Sequence, residues 1–352
     1  MNSTSHSQSD LDPFAKRKLI VLAAIVLLPI SFFIAITFGT VVIPFGDVFS
    51  ALFSLEQNSR SDLVIQQIRL PRALLATFVG ALLGICGAAT QGLFRNPLAD
   101  PSLIGVTAGA SAGAAMMIFF AGSLSSLEGL FGIGLISAGA FVGGIITVLL
   151  VYSLASNRTG TSVATMLLAG IAITAIAGGL TSLVEFFADN EMLRRISLWR
   201  MGGLDGANYQ RISVAAGFTF AICIILPRFS NALNALLLGE SEARHLGVRV
   251  QRTKILLIVL VAAGVATSVA LAGSIAFVGL VVPHIIRLMI GPDHRYLLPM
   301  SALGGAILLL LADALARAAF APIELPVGLV TALLGAPFFI SLLRNRHSYG
   351  MQ

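Results

Sequence analysis

Apolar segments about as long as a membrane is thick recur along the whole chain. A bilayer core of ~30 Å requires about 20 apolar residues in a helix that crosses it. Hydrophobic residues make up 57% of the chain and charged residues only 11%, so few polar side chains are left to cover the surface of a soluble fold. These features predict an all-α integral membrane protein.

We interpret the apolar segments as ten transmembrane helices that together form one domain, residues 19–343. This domain would lie between an N-terminal tail, residues 1–18, and a C-terminal tail, residues 344–352. The first span is too long for a signal-peptide core and lacks a small-x-small cleavage site, so we expect it to be retained as an anchor. The approximate spans are 19–39, 72–93, 103–121, 130–152, 163–186, 211–227, 255–272, 275–290, 298–319 and 326–343.

Glycine repeats indicate how some of these spans pack. Small residues recur every four positions in the second, third and fourth spans, a pattern that lets membrane helices approach closely. Room for a bulky apolar passenger is the alternative interpretation, and close packing is the one we favour. The repeats are Gly80, Gly84 and Ala88, then Gly105, Gly109 and Gly113, then Gly139 and Gly143.

The charge distribution predicts the orientation. An even number of spans places both termini on one side, and with the termini inside most of the 22 Lys and Arg residues fall in cytoplasmic segments. We therefore expect both tails to be cytoplasmic. The net charge of +6 has the same origin, so we expect no nucleic-acid partner.

Arg69, Arg72 and Arg317 then lie at outer helix ends, against the usual bias. One interpretation is that they anchor helix ends at the lipid headgroups. The other is that Arg69 and Arg72, on one face of a helix that starts near Pro71, present a fixed cationic patch to an acidic partner outside. Arg317 follows Asp313 by four positions, so an intrahelical ion pair explains part of its role.

Two polar links join spans on the cytoplasmic side. In residues 92–105 closely spaced prolines prevent a continuous helix, and residues 156–162 hold no core-forming side chain. The small polar residues Asn96, Thr161 and Ser162 would narrow an exit without plugging it. Ordinary turn chemistry explains them equally well.

The longest cytoplasmic segment, residues 228–254, contains a short amphipathic helix candidate between Gly239 and Gly247. Such a helix rests on a membrane or seats in the groove of a partner. Each of the chain's lysines follows Ala, Arg or Thr, so a P-loop with its Gly-Lys pair is excluded. Any ATP-driven step would therefore belong to another subunit.

Other classes of function are less consistent with the sequence. Cys86 and Cys223 lie in apolar runs and are expected to be small buried hydrophobes. We expect no catalytic residue and no metal site in this chain. An ion-coupled secondary transporter would require acidic residues deep in its spans, and Asp313, which Arg317 would neutralise, is the single candidate.

Seven segments, in this order and at this spacing, resemble the FecCD family, which comprises permease subunits of binding-protein-dependent (type II) ABC importers for iron chelates, heme and vitamin B12. The resemblance extends from about residue 20 to residue 344. The segments are RLPRALLATFVGALLGICGAATQGLFRNPLADPSLIGV, MLLAGIAITAI, LWRMGGL, LGESEARHLGV, LAGSIAFVGLVVPHIIRLMIGPDHR, LLLADALAR and ELPVGLVTALLGAPFFISLL.

This resemblance implies a homodimer in the bacterial inner membrane, with a central translocation path lined by the fifth and tenth spans. It implies two ATP-binding cassette subunits that bind ATP and Mg²⁺, and a periplasmic substrate-binding protein. The chain itself would bind no cofactor. Transport would proceed by alternating access between the two sides of the membrane.

The resemblance also implies roles for individual residues. Arg69, Arg72 and Arg317 match outer arginines that receive acidic residues of the binding protein. A coupling segment at about residues 236–250 would seat in the ATPase. The cytoplasmic gate positions are Asn96, Leu98, Thr161 and Ser162, and the coupling positions are Gly239, Glu240, Ala243, Arg244, Leu246 and Gly247.

Heme is the expected passenger, with a ferric siderophore and vitamin B12 as alternatives. The variants QGLFRNPLADP, LLAGIAITAIAGG and FFADNEMLRRISLWRMGGL are more similar to heme permeases than to B12 permeases, which tend to carry Glu where this chain has Arg95. Arg194, Arg195 and Arg200 on the outer side are candidates to attract heme propionates. Contacts with headgroups or with the binding protein explain these three equally well.

Overall fold

A computed structural model describes residues 13–53, 60–123, 130–157 and 160–344. These residues are almost entirely helical, and the single sheet among them is the antiparallel pair β1 (Ser156–Asn157) and β2 (Gly160–Thr161). The helices are α1 (Pro13–Thr37), α2 (Phe45–Phe53), α3 (Arg60–Val64), α4 (Leu70–Phe94), α5 (Val106–Ser123), α6 (Leu130–Ala155), α7 (Val163–Phe187), α8 (Asn190–Met201), α9 (Tyr209–Ile225), α10 (Ser230–Leu237), α11 (Glu240–His245), α12 (Val250–Ala272), α13 (Val278–Ile290), α14 (His294–Ala318) and α15 (Val327–Arg344).

Seven helical stretches of the described chain are long and apolar enough to cross a membrane: Ala15–Thr37, Ser61–Phe94, Gly134–Ala155, Val163–Phe187, Tyr209–Leu237, Val250–Ala272 and His294–Ala318. Three shorter apolar helices, Val106–Phe120, Val278–Ile290 and Val327–Ser341, lie at the remaining predicted spans. Each of the ten predicted segments thus contains a helix. That all of them cross the membrane remains a prediction.

The predicted start of the second span is wrong. The chain is already helical from Arg60, because α3 continues through a π-helical segment, Ile65–Arg69, into α4. Pro71 has no N–H to donate to the helical ladder, and the change from π to α spacing falls directly before it. Arg69 and Arg72 therefore lie within a continuous helix and not at its beginning.

The predicted N-terminal tail, residues 1–18, stays a prediction, although part of it is helical. Helix α1 begins at Pro13, so residues 16–18 lie on its first turns. Residues 1–12 of that tail, residues 345–352 of the C-terminal tail and Arg158 of the second link lie outside the described residues. Helices α2 and α8 were not predicted, because they are too short or too polar for the length and hydropathy of a span.

Helix α4 forms the centre of the fold, with 83% of its most apolar window buried. A Cβ atom at Gly84 would overlap the carbonyl oxygen of Ser301 on α14, and one at Gly87 would overlap the carbonyl oxygen of Gly279 on α13. The glycine repeats of α5 and α6 meet in the same way, since Gly113 faces the carbonyl of Gly139. The predicted close packing of these helices is confirmed.

Candidate functional site

Three arginines meet at one end of the bundle, where α4 approaches α14. Arg72 Nε lies 2.8 Å from Asp313 Oδ1, and Arg317 Nε lies 3.0 Å from Asp313 Oδ2. Arg72 also contacts Glu324, with Nη1 2.6 Å from Oε2. The predicted intrahelical pair of Asp313 and Arg317 is confirmed, and the fully buried Asp313 carboxylate joins two helices through it.

Two of these arginines also donate hydrogen bonds to backbone carbonyls at the C-terminal end of α1. Arg69 Nη1 donates hydrogen bonds of 2.7 Å to the carbonyls of Ile36 and Thr37, and Arg317 Nη2 donates one of 2.5 Å to Ala35. The last carbonyls of a helix have no intrahelical donor and carry partial negative charge, so cations stabilise them. No local pattern in the sequence indicates these contacts.

These three arginines are not a freely exposed patch. Arg69, Arg72 and Arg317 are each only 4 to 5% exposed, because the end of α1 and the two acidic side chains cover them. They instead line a cavity of about 570 Å³, to which Glu324 also contributes. The predicted role in docking therefore concerns this cavity and stays a prediction.

The first of the two polar links begins with a compact turn at the end of α4. Arg95 adopts a left-handed conformation with φ of 51° and ends the helix. The side-chain oxygen of Asn96 accepts a hydrogen bond of 2.9 Å from the Leu98 amide, which is the local turn chemistry that the sequence left open. Asn96 is exposed and Leu98 is half-buried.

The second link contains the two-stranded hairpin β1–β2, in which Ser156 pairs with Thr161. Thr161 is buried, whereas Ser162 is exposed and caps α7 by accepting a hydrogen bond of 3.3 Å from the Thr165 amide. Gln251 on α12 accepts from the Thr161 amide at 3.2 Å and donates to its hydroxyl. Lys254 on α12 donates to the Thr161 carbonyl at 2.8 Å.

The predicted amphipathic helix is α11, and its two flanking glycines have positive φ angles, 118° at Gly239 and 84° at Gly247. Arg244 and Leu246 are exposed and available to a partner. Ala243 is not, because it is fully buried in a small cluster with Ala235, Leu236 and Val250. A direct contact of Ala243 with a partner is therefore contradicted by its packing.

A cavity of about 880 Å³ joins two of the predicted gate positions to two of the predicted coupling positions, whereas Asn96 and Leu98 do not line it. Thr161, Ser162, Glu240 and Arg244 line it, and so does Arg95, the neighbour of Asn96. Its charge is strongly positive, because one carboxylate, that of Glu240, faces four arginines among the lining residues: Arg95, Arg244, Arg249 and Arg252. Residues from two links and from the coupling segment thus form one site.

Lys254 and Gln251 are the residues of this site that sequence reasoning missed. Lys254 is 2% exposed and forms an ion pair with Glu240, with Nζ 2.5 Å from Oε1. A lone lysine beside an apolar span is typical of an interfacial anchor. Its burial between two separate segments is a tertiary effect that the sequence does not indicate.

The chain matches the FecCD transport family over residues 27–345. It is 44% identical over 299 residues to the hemin transport system permease protein HmuU of Yersinia pestis, which covers 85% of this chain and 88% of that protein. It is 43% identical over 286 residues to the cobalamin import system permease protein BtuC of Halobacterium salinarum, covering 81% of this chain and 74% of that protein.

A solved structure described as an inward-facing conformation of a metal-chelate type ABC transporter is similar along the whole fold. The TM-score is 0.80 at 32% identity, over 94% of this chain and 99% of that chain. Every candidate site residue described above falls inside the range that the family match covers. The chain therefore belongs to the FecCD transport family.

Proposed function

We propose that this chain is the permease subunit of a type II ABC importer that moves heme from the periplasm to the cytoplasm. The observation that carries the proposal is the 880 Å³ cavity, in which residues at a candidate gate lie beside a helix suited to a partner protein. Family membership supplies the transport class. Both termini would be cytoplasmic, with ten crossings of the bacterial inner membrane.

The proposed partners follow from this class. Two ATP-binding cassette subunits would bind ATP and Mg²⁺ and seat against α11, where Arg244 and Leu246 are exposed. The arginines of the cavity favour an acidic surface on that partner. A periplasmic substrate-binding protein would dock at the opposite end.

A second copy of the chain would complete the translocation path. Helices α7 and α15 expose large apolar side chains, among them Leu168 at 69%, Phe186 at 80% and Leu333 at 64%. Lipid covers part of such a surface, and an apolar path or dimer contact accounts for the remainder. We therefore propose that α7 and α15 face the symmetry axis of a homodimer.

Heme is the passenger that we propose, with a ferric siderophore or vitamin B12 as the alternatives. The identities to the hemin permease, 44%, and to the cobalamin permease, 43%, are nearly equal, so the support is Arg95 at the position where B12 permeases tend to carry Glu. Arg200 forms an exposed ion pair of 3.0 Å with Glu185 on the outer side, so a heme propionate would compete with that carboxylate.

Docking of the binding protein is proposed at the outer cavity. Glu324 is 39% exposed on its side chain, whereas Asp313 is fully buried. An acidic side chain from outside would therefore replace Glu324, not Asp313, as a partner of Arg72. This arrangement also weighs against an ion-coupled transporter, since Asp313 is held by two guanidinium groups.

The proposal is tested by uptake into liposomes that contain this chain and its companion ATPase. The binding protein is loaded in turn with heme, a ferric siderophore and vitamin B12. ATP-dependent accumulation of heme alone is the expected result. Accumulation of another chelate would correct the passenger, and uptake that is independent of ATP would refute the importer mechanism.

A further inference from the structure

Lys254 connects two elements that are distant in sequence. Its ammonium lies 2.5 Å from the Glu240 carboxylate on α11 and donates a hydrogen bond of 2.8 Å to the Thr161 carbonyl on the hairpin β1–β2. The Lys254 side chain is 3% exposed, while that of Glu240 is 33% exposed. One buried cation therefore bridges the coupling helix and the candidate gate.

The hairpin is further attached to α12 by Gln251. The Gln251 amide accepts from the Thr161 N–H at 3.2 Å and donates to the Thr161 hydroxyl. The backbone N–H, the carbonyl and the hydroxyl of Thr161 are thus all hydrogen-bonded to side chains of α12. One of these side chains, Lys254, also contacts α11. A displacement of α12 relative to the hairpin would break three hydrogen bonds together.

We infer that Lys254 is a positioning residue that couples movement of α11 to movement of the gate hairpin. The inference rests on the proposed function, in which a partner ATPase pushes on α11. If α11 moved alone, the Lys254 ammonium would lose either its carboxylate or its carbonyl while still buried, which is costly for a charged group. The two elements therefore move as one unit.

The alternative is that Lys254 only stabilises the fold. The two roles predict different effects on one ratio, which is the amount of heme transported per ATP hydrolysed by the assembled complex. A structural role lowers yield or thermal stability but leaves this ratio unchanged. A coupling role lowers the ratio even where the complex assembles and hydrolyses ATP.

We would therefore compare the neutralising variants Lys254→Met and Glu240→Gln with Lys254→Arg in reconstituted complexes. We expect the ratio to fall about tenfold in each neutralising variant, a typical size for coupling between sites, and to be retained in Lys254→Arg, which keeps a cation that can donate to both the carboxylate and the carbonyl. Arg228→Met is the matched control, because Arg228 is an exposed cation outside this network. A wild-type ratio in both neutralising variants would overturn the inference.

A second measurement does not depend on the passenger or on the stability of those variants. Spin labels at Ser241 on α11 and Asn157 on β1, both exposed, report the distance between the two elements in the otherwise intact complex. We expect this distance to stay constant when ATP binds. A change on ATP binding would overturn the inference, whereas failure of wild-type heme uptake alone would refute only the proposed function.

Discussion

Arg72 on α4 and Asp313 on α14 form an ion pair of 2.8 Å, although 241 positions separate them in the chain. The same carboxylate holds Arg317 at 3.0 Å. Both guanidinium groups are almost completely buried. The arginine cluster therefore connects α4 to α14, in addition to any role in docking, and experiments on docking must separate the two effects.

Replacement of Asp313 by Asn should strongly destabilise the protein. It leaves two buried guanidinium groups without their shared counter-ion, and loss of one partner from a buried ion pair costs about 3–5 kcal/mol. The melting temperature of the purified protein is the measurement. Glu185→Gln is the matched control, since it neutralises an exposed pair that is worth about 0–1 kcal/mol. Equal effects of the two changes would contradict the prediction.

Replacement of Glu324 by Gln should tighten binding of the substrate-binding protein severalfold. The change removes the negative charge of Glu324 and so weakens its contact with Arg72 in the cavity that both residues line. Arg72 is then available to an external carboxylate. The dissociation constant is measured by surface plasmon resonance with the complex in nanodiscs, and Glu242→Gln, which changes an exposed carboxylate that does not line this cavity, serves as the control. Unchanged or weaker binding would refute docking at this cavity.

Reversal of both Arg69 and Arg72 to Glu is a less informative test. The new carboxylates would lie close to Asp313 in a buried position, where like charges are strongly unfavourable. Loss of docking in that variant would not be distinguishable from misfolding. The Glu324 variant avoids this problem, because its side chain is partly exposed.

Replacement of Gly84 by Ala should lower stability by about 1–3 kcal/mol, the usual cost of inserting atoms into a packed interior. The added Cβ would overlap the carbonyl oxygen of Ser301. In Gly217→Ala on α9, by contrast, the new Cβ meets no atom within 4 Å, so that change should be neutral or slightly stabilising. Thermal unfolding of the two variants side by side checks the prediction, and equal stability would contradict it.

Replacement of Gly247 by Ala should reduce co-purification of the companion ATPase. Gly247 has a φ of 84°, and a Cβ there meets no atom within 4 Å, so the penalty comes from backbone conformation alone. A left-handed conformation costs an ordinary residue about 1–2 kcal/mol, but Asn tolerates it. Gly247→Asn should therefore retain the ATPase, and identical behaviour of the two variants would show that the conformation of this turn is unimportant.

The sequence predicted the features that the bilayer and local geometry impose. Apolar segments and repeated glycines indicated the helices and their close packing, and the spacing of Asp313 and Arg317 indicated their ion pair. The amphipathic helix α11 followed from its alternating pattern and its two flanking glycines. Each of these signals lies within one turn or one helix.

What the sequence did not predict depends on tertiary contacts. Arg69 reaches the carbonyls at the end of α1, and Lys254 joins α11 to the hairpin, across separations that no local pattern encodes. The alternating pattern of α11 places Ala243 on its apolar face, and the small cluster beneath α11 buries it. A sequence does not distinguish a small residue that packs inside the chain from one that contacts a partner. The three-dimensional packing around Ala243 was needed to choose between these two roles.

The contacts of α4 limit the ways in which the protein can change shape. Backbone atoms at Gly80, Gly84 and Gly87 meet those of α13 and α14 with no side chain between them, so these helices have no room to slip past one another. Close backbone contacts of this kind leave the helices little freedom to move relative to one another. We therefore expect α4, α13 and α14 to move as one rigid unit during transport. Helix α7, which has 22% of its most apolar window buried, would then undergo the larger displacement.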